Sequence, residues 1–252
     1  MRPAPGPRSL LIALACLALA PAAHAAGVSL RWDTCYGNGG VQNKNFACDT
    51  NTGSGVLVCS FALGADMHQV AGGEITLDLG AAGGTLPSWW QMFQVNTCRR
   101  TSISVAFAAP VSCVDWAGGL AAGGIGVYNI GLRGPNTAHV KIAEAVPANN
   151  FKDLVAGQEY YSCDLTIDYQ KTVGTGSCAG CSTPACLVLT SINLTTPVVE
   201  NNRLLTGPAN GVDSNWATWQ GGGGVVVGGQ AGCPAATPTA KSTWGAVKAL
   251  YR

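Results

Sequence analysis

The sequence predicts an all-β protein, a disulfide-stapled antiparallel β-sandwich of the jelly-roll-like or immunoglobulin-like kind with a short helix in its C-terminal tail. Three observations predict this fold class. Short segments alternate apolar and polar residues, glycine and proline separate these segments, and ten cysteines follow an N-terminal stretch with the features of an export signal. Strand-sized runs at short intervals with turn residues between them are typical of sandwiches and barrels.

The predicted strands are segments in which every second residue is apolar, or short apolar runs rich in β-branched residues. In chain order they span 28–32, 55–61, 74–79, 101–107, 111–116, 126–130, 138–143, 160–169, 187–194 and 225–227. The segment 160–169 has the clearest alternation. Its residues expected on one inward face are Tyr161, Cys163, Leu165, Ile167 and Tyr169. Turn-rich links between the runs favour antiparallel pairing, because parallel strands need long crossovers.

Helix signals are scarce. The segment 147–155 is compatible with a single helical turn, and Thr243 can cap a short tail helix with Trp244, Val247 and Leu250 on one face. The glycine run 221–224 reads as either a flexible linker or a sharp hairpin. The predicted organisation is therefore a signal peptide at 1–25, a β-sandwich domain at 26–234, and a linker with a C-terminal tail at 235–252.

The first 25 residues have the order of a secretory signal peptide. Arg2 and Arg8 give a positive start, residues 9–20 are almost wholly apolar, and Ala23 and Ala25 supply the small residues of a cleavage site. The apolar run is shorter than the roughly 20 residues that cross a bilayer. We therefore expect cleavage after Ala25, no transmembrane anchor, and a mature chain that is secreted, extracellular or in the cell envelope.

Loss of the signal removes Cys16 and leaves an even number of cysteines. An even set in an exported chain predicts a disulfide framework. The cysteines expected to be in disulfides, with connectivity left open, are Cys35, Cys48, Cys59, Cys98, Cys113, Cys163, Cys178, Cys181, Cys186 and Cys233. Cysteines that are close in the sequence are the first expected partners. The expected pairs are Cys35 with Cys48 or Cys59, Cys98 with Cys113, and two of Cys178, Cys181 and Cys186 with each other or with Cys163. A further bridge is expected to tie Cys233 to the body.

The spacing Cys178-Ala-Gly-Cys181 leaves other chemistry open. A Cys-x-x-Cys pair can be half of a zinc site or a redox site at the start of a helix. Here Gly174, Gly176 and Pro184 surround the pair and favour a loop. We therefore interpret these cysteines as structural disulfides, and we expect no metal and no cofactor.

The charge pattern excludes one class of partner. Without Arg2 and Arg8 the mature chain would carry 12 basic and 13 acidic residues, and it contains no basic cluster. Nucleic-acid binding depends on clustered Lys and Arg that neutralise phosphates, so no nucleic-acid partner is expected. Charged residues make up only 11% of the chain, against roughly 25% in an average soluble domain, and solubility then depends on uncharged polar groups.

Catalytic patterns are weak. Of the histidines outside the signal, His68 lies in no recognisable motif, and His139 lies in a predicted strand as an outward polar residue. A glycoside hydrolase needs two carboxyl groups facing one cleft. Asp164 and Asp168 share one side of a predicted strand, but their spacing is that of any solvated face. No catalytic residue is predicted.

Tryptophan offers the most specific binding hypothesis. Trp89 and Trp90 follow a turn-like Leu-Pro-Ser stretch, and Trp219 lies in a segment rich in Ser, Thr and Asn. Exposed indole rings can stack on the faces of sugars, whereas buried ones are the largest core-filling side chains. Two interpretations stay open, packing in the core or a ligand-facing site formed by Trp89, Trp90 and Trp219.

The chain ends in Trp-Gly-Ala-Val-Lys-Ala-Leu-Tyr-Arg. This ending resembles the terminus of a group of uncharacterised secreted bacterial proteins that share a Trp-Gly-x-Val-Lys-x-Leu-Tyr-Arg tail. Residues 46–51, 86–90 and 171–181 are also similar to segments in that group. The group has no assigned activity, so the resemblance implies only export and a modular tail. Residues 244–252 are then either a sorting or surface-retention element or a terminal helix packed on the body.

Taken together, these features predict a secreted or surface-associated protein without enzymatic activity that binds a glycan or a cell-surface protein. Two alternatives stay open. One is a hydrolase that acts on an extracellular polysaccharide, and the other is a structural subunit of an envelope layer or appendage.

Overall fold

Fourteen β-strands provide nearly all of the regular structure in the part of the chain that is described. The computed structural model describes residues 26–108, 113–209, 214–227 and 232–234. Within these ranges the only helical elements are three-residue 3-10 turns, at Tyr36–Asn38, Ser88–Trp90 and Val199–Asn201. The prediction of an all-β fold is confirmed for the described residues.

The strands are β1 (Gly27–Trp32), β2 (Asn43–Lys44), β3 (Ser54–Ala62), β4 (Met67–Val70), β5 (Gly72–Ala81), β6 (Ile103–Ala106), β7 (Val114–Asp115), β8 (Ala122–Ile130), β9 (Thr137–Ala145), β10 (Lys152–Leu154), β11 (Glu159–Asp168), β12 (Ala185–Thr195), β13 (Arg203–Thr206) and β14 (Trp216–Trp219). The long strands coincide with the alternating segments of the sequence. The segment 147–155 contains a hydrogen-bonded turn but continues as β10, so the helical turn expected there was wrong.

The strands form two main sheets and a ribbon. In the five-stranded sheet the order is β1-β3-β11-β6, and β7 pairs with β11 beside β6. In the seven-stranded sheet the order is β2-β14-β12-β5-β9-β8, and β13 pairs with β12 beside β14. A two-stranded ribbon joins β4 to β10. Only the two-residue strands β7 and β2 pair in parallel, so the expectation of antiparallel pairing is confirmed for the long strands.

The two sheets contribute to one hydrophobic core. Leu30 and Phe61 from the five-stranded sheet, and Leu77, Ile142 and Leu189 from the seven-stranded sheet, are almost completely buried in it. Burial of an aliphatic or aromatic side chain of this size contributes about 1.5–3 kcal/mol. The alternation read from the sequence therefore corresponds to one core-facing and one outer face for each long strand.

A β-bulge interrupts the alternation of β11. Tyr161 pairs with Ser60 of β3, whereas the next pair in the ladder joins Cys163 to Cys59, so Ser162 is the extra residue. Tyr160 packs in the main core, while Tyr161 lies in a small cluster on the outer face with Val58. The expectation that Tyr161 faces inward was therefore wrong, because an inserted residue reverses the side of every side chain before it.

Four disulfides connect segments that are distant in the sequence. They join Cys35 to Cys113, Cys48 to Cys181, Cys98 to Cys178, and Cys186 to Cys233. In each bridge at least one cysteine lies in a connecting segment, so the bridges fasten loops to the body. Cys178 and Cys181 have different partners, which confirms structural bridges at that spacing. The bridge from Cys233 back to the body is also confirmed.

The expected pairing of sequence neighbours was wrong for every bridge it addressed. Connectivity follows the fold, and the long separations of 78, 133 and 80 residues show which loops the sheets bring together. Cys59 and Cys163 are buried thiols without a disulfide. In this respect the structure departs from the expectation that all ten cysteines are paired.

Several other expectations concern the C-terminal third. The glycine run 221–224 forms hydrogen-bonded turns directly after β14, with the Gly222 N–H donating to the Trp219 carbonyl, so it is a sharp turn and not a flexible linker. Residues 225–227 form no extended strand, and Val227 packs with Cys233 on β12. The signal peptide at 1–25 and the tail at 235–252, with its predicted helix, lie outside the described residues. No helix within the described ranges is long and apolar enough to span a membrane.

Candidate functional site

The three tryptophans of the predicted ligand site meet in the interior. Trp89 and Trp90 form the 3-10 turn Ser88–Trp90, and Trp219 ends β14. The ring centroids are 4.8 Å apart for Trp89 and Trp219, 5.3 Å for Trp90 and Trp219, and 4.8 Å for Trp89 and Trp90. Phe46 stacks on Trp219 with 3.9 Å between centroids. The three distances between indole rings are those of favourable aromatic pairs in a core.

All three rings have an exposed fraction of 0%. The ligand-facing interpretation of Trp89, Trp90 and Trp219 required rings that reach solvent, so the structure corrects it in favour of core packing. The turn-like stretch before Trp89 is covered by a neighbouring loop. A Cβ at Gly180 would lie 2.2 Å from the Cβ of Pro87, which leaves room only for glycine there.

Arg99 closes this aromatic cluster. Its guanidinium lies 3.6 Å from the centroid of the Trp89 ring and donates hydrogen bonds to the carbonyls of Trp89, Gln170 and Asp168. Burial lowers the pKa of Arg99 to about 10, although the nearby Asp168 opposes this shift. A buried cation of this kind is stable when its donors are satisfied. The arginine therefore holds the tryptophan turn against β11.

A second buried cluster lies between the sheets, where the bulge of β11 faces β9. The Ser162 hydroxyl donates a hydrogen bond of 2.5 Å to Oε1 of Glu144. Cys59 and Cys163 are register partners beside this contact. Gly73 of β5 is paired with Glu144, and a Cβ there would lie 3.3 Å from Oε1, so glycine leaves space for the carboxyl group.

Among the described residues, Glu144 has the carboxyl group whose pKa is raised furthest. Burial raises its pKa to about 8, although the hydrogen bond from Ser162 opposes the shift. Its Oε2 makes no hydrogen bond. Trp116 lies close enough to affect the carboxyl, but its Nε1 also lacks a partner with normal geometry. Strongly perturbed groups often mark functional sites, but this one is sealed from solvent.

A third polar cluster lies on the outer face of the seven-stranded sheet. Asp78 of β5 accepts hydrogen bonds from Arg133 Nε at 2.8 Å and Thr190 Oγ1 at 2.9 Å, and its Oδ1 lies 2.7 Å from Nδ1 of His139. His139 does lie on the outer face as expected, but it is only 6% exposed. All oxygens of Asp78 have partners, so the cluster fastens the loop before β9 to the sheet.

The expectation of a solvated acidic face on β11 was wrong for one of its two residues. Asp164 is only 6% exposed, and burial raises its pKa to about 6. Asp168 is partly exposed and its Oδ1 accepts a hydrogen bond from the Gln170 N–H. One carboxyl is buried and the other is partly exposed, so they give no support to a hydrolytic pair that faces one cleft.

A pocket of about 350 Å³ opens at the surface of the described part of the chain. Its lining residues come from the start of β4 and from the segment that joins β12 to β13: Asp66, Met67, His68, Glu200, Asn201, Asn202 and Arg203. A volume of this size fits a small ligand. Apart from Met67, the lining consists of charged and amide side chains of both signs.

Hydrogen bonds fix the frame of this pocket. Arg203 donates to the carbonyls of Ala65 at 2.7 Å and Asp66 at 3.4 Å, which ties β13 to the turn before β4. Asp66 Oδ1 accepts the Ala156 N–H at 2.8 Å. Asn202 Oδ1 accepts the Thr196 N–H at 2.8 Å. Side chains that are fixed in this way present their remaining polar atoms in a preformed arrangement.

A contact between a histidine and a carboxyl group lies at the rim of the pocket. His68 Nδ1 lies 3.3 Å from Asp153 Oδ2 across the β4–β10 ribbon, and both side chains are largely exposed. A hydrogen bond from the Gln69 N–H, with a further contribution from His68, lowers the pKa of Asp153. Glu200 and Asn201 belong to a 3-10 turn in which neither residue is buried.

Sequence reasoning missed this pocket. Its two halves are separated by more than 130 residues. The pairing of β5 with β12, which places Gly72 opposite Thr195, and the hydrogen bonds of Arg203 bring them together. The run Glu-Asn-Asn-Arg at 200–203 after Pro197 is an unusual concentration of polar side chains in a chain so poor in charge. That run was the one available signal.

Comparison with models of known protein families gives no match, and comparison with curated proteins gives none either. The assignment of function therefore depends on the geometry of these sites. Hydrogen bonds within the fold hold two of the three buried clusters, those around Arg99 and Asp78, and the Glu144 cluster has no access to solvent. The pocket between β4 and the β12–β13 segment is the candidate binding site.

Proposed function

We propose that this chain is an exported β-sandwich, formed by the two sheets, that binds a glycan in the pocket lined by Asp66, His68, Glu200, Asn201 and Arg203. The observation that carries the proposal is the chemistry of that lining. Carboxyl groups, an amide, an imidazole and a guanidinium line one pocket. They supply both donors and acceptors without a dominant charge, which suits a neutral ligand with many hydroxyl groups.

The mixed charge of the pocket lining favours a neutral saccharide over an anionic or a cationic ligand. An anionic ligand would meet Asp66 and Glu200, and a cationic ligand would meet Arg203. A hydroxyl group both donates and accepts, so a saccharide can satisfy carboxylate, amide and guanidinium in turn.

Export is part of the same proposal. The described disulfides are typical of an oxidising compartment, and glycans are abundant on cell surfaces. The proposal also includes cleavage after Ala25 and a role of residues 244–252 in sorting or surface retention. A reporter carrying residues 236–252 behind an export signal tests the tail. Greater cell association than the untagged reporter supports sorting, and equal release contradicts it.

A glycan array followed by calorimetry on the best oligosaccharide tests the binding function. Asn201→Ala and Glu200→Gln should each weaken binding by at least 10-fold, because each removes groups that hydrogen-bond the ligand. The matched controls are Asn129→Ala and Glu74→Gln on the seven-stranded sheet, and they should leave the affinity unchanged. Absence of any glycan binding, or equal affinity of the pocket variants and their controls, would contradict the proposal.

Hydrolysis of a polysaccharide is the second candidate, favoured by the two carboxyl groups of Asp66 and Glu200 in one pocket. Glycoside hydrolases use a carboxyl pair across the scissile bond. Incubation of the bound glycan with the protein and measurement of new reducing ends distinguishes the two functions. Product release that Glu200→Gln abolishes would favour the hydrolase, whereas binding without turnover favours the non-enzymatic protein.

A further inference from the structure

Cys59 and Cys163 lie opposite each other on the two central strands of the five-stranded sheet. They are register partners in the antiparallel β3–β11 ladder, and both belong to the core between the sheets. Both are 0% exposed, and neither takes part in the four disulfides. Every other cysteine of the described residues is bridged.

The backbone geometry at this position suits a disulfide. Directly opposite residues of an antiparallel pair have Cα atoms about 4.5 or 5.5 Å apart, and disulfides need about 4.4–6.8 Å. The bulge at Ser162 shifts the ladder by one residue, so Cys163 joins the inward face with Cys59. Without the extra residue, Cys163 would be out of register with Cys59. The bulge therefore aligns the two sulfur atoms.

We propose that Cys59 and Cys163 form a fifth disulfide bond, which joins β3 directly to β11 in the oxidised protein. It would differ from the other four bridges because both of its cysteines lie within paired strands of one sheet. The even number of cysteines after the predicted signal, and the oxidising compartment that the other bridges indicate, support the same conclusion.

Oxidation of the two thiols to a disulfide needs an oxidant that is itself a disulfide. This oxidant is either an exported dithiol–disulfide oxidoreductase or a small-molecule disulfide. The thiolate of one cysteine attacks the oxidant's disulfide and forms a mixed disulfide, which releases one oxidant thiol. The second cysteine thiolate then attacks the bound sulfur of the first and releases the other oxidant thiol. The pair loses two electrons and two protons, and the oxidant gains both.

The burial of Cys59 and Cys163 determines when the bond between them can form. In the folded state a hydrogen bond with the Cys59 thiol, together with burial, raises the pKa of Cys163 well above its ordinary value. A protonated and inaccessible thiol does not attack a disulfide. The fifth bond therefore forms before the seven-stranded sheet covers β3 and β11, and the finished protein then protects it from reductants.

Mass spectrometry of the unaltered protein tests this inference. Protein collected from an oxidising compartment is denatured with a maleimide present and without reductant, and is then digested and sequenced. The expected result is no maleimide on any cysteine of residues 26–252 and one cross-linked peptide that contains Cys59 and Cys163. Maleimide on both cysteines, or a bridge from either to a different cysteine, would overturn the proposal.

Single substitutions provide an internal control. Cys59→Ala should leave one maleimide per chain, located on Cys163, in the same denatured assay. Cys98→Ala should likewise leave one, located on Cys178, because that bridge is present in the structure. If Cys98→Ala gives one label as expected while the unaltered protein already carries two on Cys59 and Cys163, the assay works and the fifth bond does not form.

Discussion

The Ser162 hydroxyl on β11 and the Glu144 carboxyl on β9 form a 2.5 Å hydrogen bond that crosses the core from one sheet to the other. It exists because the bulge turns Ser162 inward and because Gly73, beside Glu144, leaves space for the carboxyl. The carboxyl is buried with one oxygen unpartnered. Its charged form is therefore disfavoured, and stability should depend on its proton.

Glu144→Gln should make the protein less sensitive to pH. The pKa of Glu144 is raised to about 8 by burial, from an ordinary 4.5. Its stabilising effect is fully present below pH 4.5, where both states are protonated, and is lost as the pH rises to 8. A shift of this size corresponds to about 5 kcal/mol at most. Urea unfolding of wild type and variant at pH 5 and pH 8 measures the difference.

The matched control for this experiment is Glu74→Gln, an exposed carboxyl that pairs with Lys141 on the outer face. It should retain the pH dependence of the wild type. If the free energy of unfolding changes equally with pH in the wild type and in Glu144→Gln, Glu144 does not hold its proton in the folded state.

Arg99→Met should destabilise the protein by about 3–5 kcal/mol. The substitution leaves the carbonyls of Trp89, Gln170 and Asp168 without their buried donor and removes the cation from the Trp89 ring. Thermal and urea unfolding provide the measurement. Arg100→Met is the control, because Arg100 is exposed and next in sequence. Similar losses for the two variants would mean that burial of Arg99 contributes little.

The alternating segments made the long strands predictable. β5 and β9, for example, each bury one face in the core, so period-two patterning directly reflects their environment. Short strands were not predictable: β4, β10 and β13 have three or four residues and owe their pairing to neighbours. The bulge at Ser162 was equally hidden, because Tyr161, Cys163 and Leu165 continue an unbroken apolar alternation through it.

The site could not be predicted for related reasons. An indole in a turn-like stretch has the same sequence whether the turn is open or covered. Here Arg99 lies on the Trp89 ring, and Gly180 packs against Pro87 in the stretch before it. Cysteine partners depend on which loops meet, as Cys48 and Cys181 do across 133 residues. The pocket likewise requires Asp66 and Arg203 to come together through the strand order.

Trp219→Ala should cost about 3–5 kcal/mol, the range for loss of a large buried aromatic side chain. Trp219 contacts Trp89, Trp90 and Phe46, and its Nε1 donates to the Cys181 carbonyl. The control is Trp216→Ala, since Trp216 is only partly buried and should cost less. Urea unfolding without added thiol or reductant, so that the disulfides stay intact, compares the stability of the two variants. A smaller loss for Trp219→Ala than for Trp216→Ala would contradict the core role of Trp219.

Asp78→Asn should destabilise the outer-face cluster by about 2–3 kcal/mol, because charge-assisted bonds from Arg133 and His139 lose their anionic acceptor. The control is Asp153→Asn, whose pair with His68 is exposed and so should contribute little. The loop that carries Arg133 should also exchange its amide hydrogens faster, which hydrogen-exchange mass spectrometry detects. Unchanged stability and unchanged exchange in Asp78→Asn would show that Asp78 does not hold this loop on the sheet.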